Sequence, residues 1–368
     1  MPNIKNKIIF VILAIAATIS VIQGFSNAML YSKDFQWSPS VLFWDGINPY
    51  TYQLSGNEEK RIILSQAPNY AHLTYVLLLP FSLMNWETAK LLWAVTTFIF
   101  ALQAVKLISR SAELTINESL IVLFVFLCST PLRNTIGNGQ HAVVVLFCFC
   151  ALLSKRNCLT NAVIGIGYFK YSFMPPVFLF LAFRRGLKAA LVSLAACGIG
   201  WIFFSIALKT NPAETLTLPL KVSQIAVGQG TADLMTIAGF FFSDKHAIFY
   251  RIAIYLIPIV PCFFLAWYAA KAKGSQLFRL AFISITCLIT FTHLSYDFVL
   301  LLPAFIYSYK YRQMIAGKLA IATILFNWFG LRIIYPIKIS PELLIPLNFS
   351  ICVCLLILIV KINKQVSN

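Results

Sequence analysis

Apolar runs, each about as long as a membrane-spanning helix, recur along the whole of this 368-residue chain. A helix needs roughly 20 residues to cross about 30 Å of hydrocarbon, and lipid offers backbone polar groups few other ways to be satisfied. Hydrophobic residues make up 60% of the chain and charged residues only 11%. The chain is therefore predicted to be an all-α, polytopic transmembrane protein with about 10 to 12 membrane segments.

The basic residues indicate an orientation. The net charge is +17, and the Lys and Arg residues stand in short clusters between apolar runs, as in cytoplasmic loops. Nucleic-acid binding is therefore not implied. If the N-terminus is cytoplasmic and residues 70–84 only dip into the outer leaflet, more than half of the 29 basic residues fall on the cytoplasmic side. They are Lys5, Lys7, Lys106, Arg110, Lys155, Arg156, Arg184, Arg185, Lys188, Lys271, Lys273, Arg279, Lys310, Arg312, Lys318, Lys361 and Lys364.

This topology predicts ten spans and one interrupted region between the fourth and the fifth. The spans are 8–30, 88–107, 118–132, 141–154, 189–208, 248–270, 278–292, 296–309, 319–335 and 343–360. Between residues 158 and 183 the apolar pattern breaks at Lys170 and the Pro175-Pro176 pair, which predicts two half-length helices. Broken helices at membrane depth are tolerated where they line a protein-enclosed or wet cavity.

Polar residues scattered along the chain come together in this topology, near the non-cytoplasmic face. They are Asp34, Asp45, Arg133, Gln140, His141, Lys170, Asp233, His293 and Asp297. Only 12 residues of the chain are acidic, so a carboxylate at a membrane surface is a candidate for chemistry. We expect a site to be assembled at this face. For Asp45 a structural alternative stands beside the functional one, because Asp-Gly followed by Asn-Pro is typical of a turn.

Several short motifs together resemble those of glycosyltransferase family 87. They are Asp34-Phe35, Asp45 to Tyr50, Tyr75 to Pro80, Gly139-Gln140, Gly165 and Gly167 leading to Lys170 and Pro175, Leu294 to Asp297, and Leu300 to Pro303. The resemblance covers residues 8 to 310. Near the last motif the family usually has Ser-Trp-x-His-His, whereas this chain has Ser295-Tyr296-Asp297-Phe298.

The resemblance implies a single integral membrane domain, 1–368, of the GT-C fold. Its catalytic core would be residues 1–310, with a first extracytoplasmic loop at 31–69 that holds juxtamembrane helices, and residues 311–368 would add C-terminal transmembrane helices. The implied reaction moves a hexose, mannose-like, from a polyprenyl-phosphate sugar to a hydroxyl of a glycolipid or glycan acceptor, with inversion. It would take place at the extracytoplasmic face of the cell's inner (plasma) membrane, among membrane lipids.

The resemblance also gives roles to the candidate residues. Asp34 corresponds by position to the family's first-loop aspartate and would be the general base. Its structural alternative is an interfacial cap or a salt bridge with Lys33. Asp45 is the rival base, with Tyr50 packed beside it. Lys170 would hold the departing phosphate, and Arg133 is the second cation for it. For both side chains the alternative is that they extend to the membrane interface.

Four further residues complete the candidate site. Gln140 and His141 open a helix, where they would bind the sugar or cap the helix. His293 and Asp297 are weaker substrate-binding candidates. No metal and no cofactor is expected, because no group of ligands has metal-binding spacing and phosphate is already a good leaving group. The alternative from another class is a polytopic transporter or a flippase for lipid-linked sugars, although the large first loop has no counterpart in the second half of the chain.

Overall fold

The computed structural model describes residues 4–32, 35–56, 67–223, 230–241, 248–330 and 341–367. Within them the regular structure is helical and no strand occurs, which confirms the all-α prediction. The first ten α-helices are α1 (Ile4–Tyr31), α2 (Trp37–Trp44), α3 (Pro49–Leu54), α4 (Leu73–Leu77), α5 (Leu79–Ser82), α6 (Trp86–Ser111), α7 (Ile116–Cys128), α8 (Thr130–Gly137), α9 (Ala142–Phe149) and α10 (Cys158–Ile166). The others are α11 (Met174–Arg185), α12 (Leu187–Ala207), α13 (Pro212–Thr215), α14 (Leu218–Ser223), α15 (Leu234–Phe241), α16 (Ile248–Lys271), α17 (Gln276–Thr290), α18 (Leu302–Lys310), α19 (Ile315–Leu325) and α20 (Pro341–Ser367).

Five helices in the described part of the chain are long and apolar enough to cross a membrane: α1, α6, α12, α16 and α20. Taken together, α7 and α8 are also long and apolar enough to cross, but the two helices meet at a bend of 60°. Shorter apolar helices lie at Ala142–Leu153, Cys158–Phe169, Gln276–Thr290 and Ile315–Gly330. The chain is therefore a multi-pass membrane protein.

The bend between α7 and α8 corrects the predicted single span at 118–132. Ser129 has an extended backbone (φ −65°, ψ 139°), and its Oγ accepts a hydrogen bond from the N–H of Leu132 at 3.4 Å. Pro131 stands in the first turn of α8, where its missing N–H costs nothing. Ser129 therefore ends α7 and caps the start of a new helix. Helix α8 runs in a different direction from α7 and carries Arg133 with it.

The predicted break at Lys170 is confirmed. Two short 3₁₀ segments, Gly167–Phe169 and Tyr171–Phe173, flank Lys170, whose backbone is not helical (φ −90°, ψ 79°). Helix α11 then begins with prolines in its first turn, where proline is tolerated. The break thus leaves Lys170 between two half-length helices.

The half-length helices give the protein two chemically different ends. At the site end, defined as residues 139–142, 169–174 and 290–297, α10 and α17 end and α9 and α11 begin. At the basic end, defined as residues 152–161, 184–188 and 270–279, the same helices have their other termini. Contacts within each end join these segments: the rings of His141 and Phe169 are 5.5 Å apart, and Arg185 donates to Asn161 Oδ1 at 2.8 Å.

Helices α2 and α3 lie in the loop between α1 and α6 and pack against the segment that carries α4 and α5. Indole N–H groups of Trp37 and Trp44 donate to the carbonyls of Phe81 (3.0 Å) and Tyr75 (3.1 Å). Helices α4 and α5 have five and four residues. At 1.5 Å per residue, neither is long enough to cross a membrane.

Candidate active site

Lys170 and Asp297 form a buried ion pair at the site end. Lys170 Nζ donates to Asp297 Oδ1, and the two residues are only 8% and 1% exposed. The other carboxylate oxygen, Oδ2, accepts from the backbone N–H of Leu294 at 3.0 Å. A buried charge is tolerated only when it is paired and hydrogen-bonded, so this pair fixes the break after α10 against the 3₁₀ segment Ser295–Leu301.

Three aromatic rings surround the Lys170 ammonium. Its Nζ lies 5.0 Å from the ring centroids of Phe173 and Tyr296 and 5.9 Å from that of Tyr70. Ring faces attract a cation, most strongly where water is excluded. The ammonium group is therefore held by one carboxylate and three ring faces. These rings were not among the predicted site residues, although Tyr296 adjoins Asp297 in the sequence and Phe173 follows Lys170 closely.

His141 is the next buried polar group at this end. Its ring lies 4.7 Å from that of Tyr70 and 4.8 Å from that of Trp93. Neither ring nitrogen has a hydrogen-bond partner among the described residues, and His141, although it stands at the N-terminus of α9, makes no side-chain capping bond. Most buried polar atoms are paired, so an unpaired imidazole marks a position where a ligand can bind. The capping alternative for His141 is thereby wrong.

Gln140 is joined to the same aromatic group, because the Tyr70 hydroxyl donates to its Oε1 at 3.3 Å. The turn before it depends on Gly139, which has φ +69° and accepts from the indole N–H of Trp93 at 3.0 Å. A Cβ at Gly139 would lie 2.9 Å from Ser32 Oγ and 3.0 Å from Phe35 Cβ. The turn therefore packs closely against the residues that precede and follow Lys33 and Asp34, which themselves lie outside the described residues.

A second buried acid–base pair joins Asp233, which directly precedes α15, to His293, which lies on the same loop as Asp297. His293 Nδ1 is 3.7 Å from Asp233 Oδ2, and Asp233 accepts from the N–H and the hydroxyl of Thr236 at 2.7 and 2.9 Å. Burial raises the pKa of Asp233 and lowers the pKa of His293, because both charged forms lose their hydration. His293 Nε2 is buried and has no partner among the described residues. From the sequence, Asp233 and His293 were weak candidates, and their contact was not predicted.

Arg133 is buried and turned toward α1. Its guanidinium donates to Gln23 Oε1 at 3.4 Å and to Thr130 Oγ1 at 3.3 Å. Helix α8 itself packs against the segment that carries Asp297, since Thr135 Oγ1 donates to the carbonyl of Tyr296 at 3.3 Å. The helix is thus at the site, but the described contacts of Arg133 are with residues other than Lys170.

Asp45 lies at the end of α2 and is exposed. Gly46 follows with φ +82°, and Asn48 Oδ1 accepts from the N–H groups of Tyr50 and Thr51, so the predicted turn is confirmed. Tyr50 is buried, and its hydroxyl donates to the carbonyl of Tyr70 at 2.6 Å. Burial raises the pKa of Tyr50 well above its usual value. Tyr50 therefore supports the backbone of Tyr70, and its ring packs against those of Tyr75 and Phe204.

Metal ligands are not grouped in the described part of the chain, where no three His, Cys, Asp or Glu side chains could hold one ion. Lys170, His141 and the aromatic rings suit an anionic or hydroxyl-bearing ligand instead.

The sequence profile of glycosyltransferase family 87 matches residues 70–303. The chain belongs to glycosyltransferase family 87. No curated protein and no solved structure matches it. The matched range contains Tyr70, His141, Lys170, His293 and Asp297 and leaves out the first loop at 31–69. This family 87 protein is thus a membrane glycosyltransferase, which acts on a sugar donor and an acceptor, and the family match favours an enzyme over the transporter or flippase.

Proposed function

We propose that this family 87 enzyme moves a hexose, mannose-like, from a polyprenyl-phosphate sugar to a hydroxyl of a glycolipid or glycan acceptor. The proposed site of transfer is the extracytoplasmic face of the inner membrane. The observation that carries the proposal is the buried ammonium of Lys170, enclosed by rings at the end of the bundle opposite the basic end. That position suits a lipid-linked anion entering from the membrane.

Lys170 is proposed to bind the departing phosphate. In the structure Asp297 supplies the negative charge that a buried ammonium requires. A phosphate oxygen can accept from another of the three N–H donors of the ammonium group, since such groups bind carboxylate and phosphate alike. Asp297 would then keep its own hydrogen bond to Lys170. Arg133 is the second candidate for this role, after a change in its present contacts with Gln23 and Thr130.

The proposed reaction is a direct displacement at the anomeric carbon. The acceptor oxygen bonds to C1 from the face opposite the phosphate, the bond between C1 and the phosphate oxygen breaks, and the acceptor proton passes to a carboxylate. Configuration at C1 is therefore inverted. The proposed base is Asp34, and support comes from its described neighbours Ser32 and Phe35, which lie against Gly139 beside Gln140. Asp45, exposed at the end of α2, is the second candidate.

The unpaired imidazole nitrogens are proposed to bind sugar hydroxyls. His141 offers both ring nitrogens and His293 its Nε2, and all three are buried without a partner among the described residues. Gln140 is held by Tyr70 at the edge of the same group. Sites that match the hydroxyl groups of a substrate reject analogues that lack them, because the buried polar atoms would remain unpaired. Sugar selectivity would thus come from these side chains.

The positive-inside rule supports the proposed face. The basic end collects Lys155, Arg156, Arg184, Arg185, Lys188, Lys271, Lys273 and Arg279. Such clusters mark the cytoplasmic side of membrane proteins. Because the same helices run between the two ends, the site end would lie on the other side of the membrane. Cysteine accessibility at the two ends, read with an impermeant thiol reagent in intact cells, tests this orientation.

The function is tested by transfer of radiolabelled sugar from a panel of polyprenyl-phosphate sugars to a membrane lipid extract. The purified wild-type enzyme should transfer one sugar, Lys170→Ala should lose most transfer, and Asp34→Asn should lose it while remaining folded. Asp45→Asn, in the same loop with the same change, is the matched control and should remain active.

If Asp45→Asn alone is inactive, the base is Asp45. If the folded wild type transfers no sugar in the panel, the proposed donor class is wrong. Activity should persist in EDTA, as expected for an enzyme without a metal.

A further inference from the structure

The outer face of α11 and α16 carries an apolar groove near the basic end. The groove has a volume of about 420 Å³ and is lined by Phe183, Phe263, Phe264, Trp267 and Lys271. The rings of Phe183 and Phe263 pack edge-to-face at 5.1 Å, while Phe264 and Trp267 are about half exposed. Four aromatic side chains with one lysine at the helix end form a surface that is apolar along its length and positive at one end.

Positive charges crowd around this lysine. Arg184 donates to the carbonyl of Ala270 at 3.3 Å, and Arg279 donates to those of Gly274 (2.6 Å) and Ala272 (3.0 Å), so both guanidinium groups lie at the C-terminus of α16. Arg184 and Arg156 are close enough to Arg279 to repel it. None of these arginines has a carboxylate partner among the described ion pairs.

Other basic residues of the protein contrast with this cluster. Lys310 pairs with Glu113 at 3.1 Å and Arg312 pairs with Glu118 at 2.5 Å. Beside the groove, by contrast, the Nε atoms of Arg184 and Arg279 are buried and lack any partner within the described residues. Arg279 as a whole is only 6% exposed. Like charges held together in this way are stabilised by an external anion.

We infer that the groove between α11 and α16 binds an anionic phospholipid, with an acyl chain on Phe263, Phe264 and Trp267 and the headgroup phosphate at Lys271. Basic pockets between transmembrane helices are known to take anionic headgroups, and aromatic side chains beside them pack against acyl chains. The bound lipid neutralises the guanidinium groups that cap the C-terminus of α16. It thereby stabilises the packing of α16 on α11.

The groove is separate from the proposed donor site, so the inference does not depend on the proposed function. Helix α11 has 12 residues and runs from the break beside Lys170 to Arg184 and Arg185. At 1.5 Å per residue it holds the two sites about 18 Å apart along its axis. A donor whose phosphate reaches Lys170 would therefore present its phosphate at the opposite end from Lys271.

The test uses the exposed indole in the groove as a reporter. The full-length enzyme is reconstituted in nanodiscs that contain brominated phosphatidylglycerol or brominated phosphatidylcholine, since bromine on an acyl chain quenches a tryptophan it contacts. The signal of Trp267 is the difference between wild type and Trp267→Phe. We expect this signal to be half quenched at a several-fold lower mole fraction of phosphatidylglycerol than of phosphatidylcholine.

Two lysine variants, one in the groove and one outside it, decide whether the charge matters locally. Lys271→Gln should reduce the preference about fivefold, the value of one basic residue at an anionic surface at about 1 kcal/mol. Lys318→Gln removes the same charge from an exposed position outside the groove and should leave the preference unchanged. Equal quenching by both lipids, or equal loss in both variants, would overturn the inference. So would displacement of phosphatidylglycerol by an equal mole fraction of polyprenyl phosphate, which would make the groove a donor-lipid site.

Discussion

Lys170 and Asp297 form an ion pair inside the protein although 127 residues separate them in the chain. The pair joins the break between α10 and α11 to the 3₁₀ segment after α17, and three aromatic rings exclude water from the ammonium group. An ion pair in such surroundings adds little net stability, but removing one partner leaves an uncompensated charge. This asymmetry gives a test of the pair that does not depend on activity.

Lys170→Met should destabilise the enzyme by about 3–5 kcal/mol, because Asp297 would remain buried without its cation. Asp297→Asn should have a similar effect, although the asparagine oxygen can still accept from the N–H of Leu294. The double variant should lose less than the sum of the two, since no lone charge remains. Unfolding of the three variants in detergent provides the cycle. Additive losses would mean that the two charges are not coupled in the folded protein.

The long helices and the break at Lys170 could be predicted from the sequence, because both depend on local properties. Apolar length determines which segments cross, and Pro175 with Pro176 restricts where α11 can begin. The bend at Ser129 was missed because the apolar run before it is too short to span alone and was extended to Leu132, and only the Ser-Thr-Pro cap indicates a new helix.

The partners of the site residues could not be predicted in the same way. Asp297 and Lys170 were both candidates, but their contact is set by how distant helices pack. The direction of Arg133 follows from the register of α8 after its bend, so its contact with Gln23 was not foreseen. The pairing of Asp233 with His293 likewise has no local signal.

Gly139→Ala should lower both stability and transfer. Its backbone has φ +69°, where a Cβ costs about 1 kcal/mol or more, and the new methyl group would press on Ser32 and Phe35. Gly46→Ala is the matched control, because Gly46 has φ +82° but nothing within 4 Å of an added Cβ. Gly46→Ala should lose stability only. Equal transfer rates in the two variants would show that contact of this turn with the first loop is unimportant for the reaction.

Acidification should destabilise the enzyme through His72. Burial lowers the pKa of His72 from 6.5 to about 4, while its Nε2 lies 3.1 Å from the carbonyl of Thr215. Below pH 6.5 the unfolded chain takes up a proton that the folded protein does not accept until about pH 4. The free energy of unfolding therefore decreases as the pH falls through this range. His293 acts in the same direction, whereas Asp233, whose pKa burial raises, acts in the opposite one.

The contribution of His72 is isolated by His72→Gln, whose amide can still donate to Thr215 but does not titrate. Melting temperatures of wild type and variant should converge as the pH is lowered from 7 to 5, because only the wild type loses this contribution. A constant difference between the two curves would mean that His72 is not the group responsible.

Asp233→Asn should weaken substrate binding by releasing His293. Asp233 Oδ2 faces His293 Nδ1 at 3.7 Å and leaves Nε2 as the nitrogen proposed to bind a sugar hydroxyl. Loss of one such hydrogen bond, at about 1 kcal/mol, raises the KM for the donor roughly fivefold. Asparagine can still accept from Thr236, so the fold around residue 233 should persist.

If Asp233 acts through His293, the variants Asp233→Asn and His293→Gln will not be additive, and the double variant will resemble His293→Gln alone. Thr292→Val, which removes a 3.5 Å contact to the same carboxylate, should leave the KM nearly unchanged. Additive effects of the two substitutions would instead mean that Asp233 and His293 act on the substrate separately.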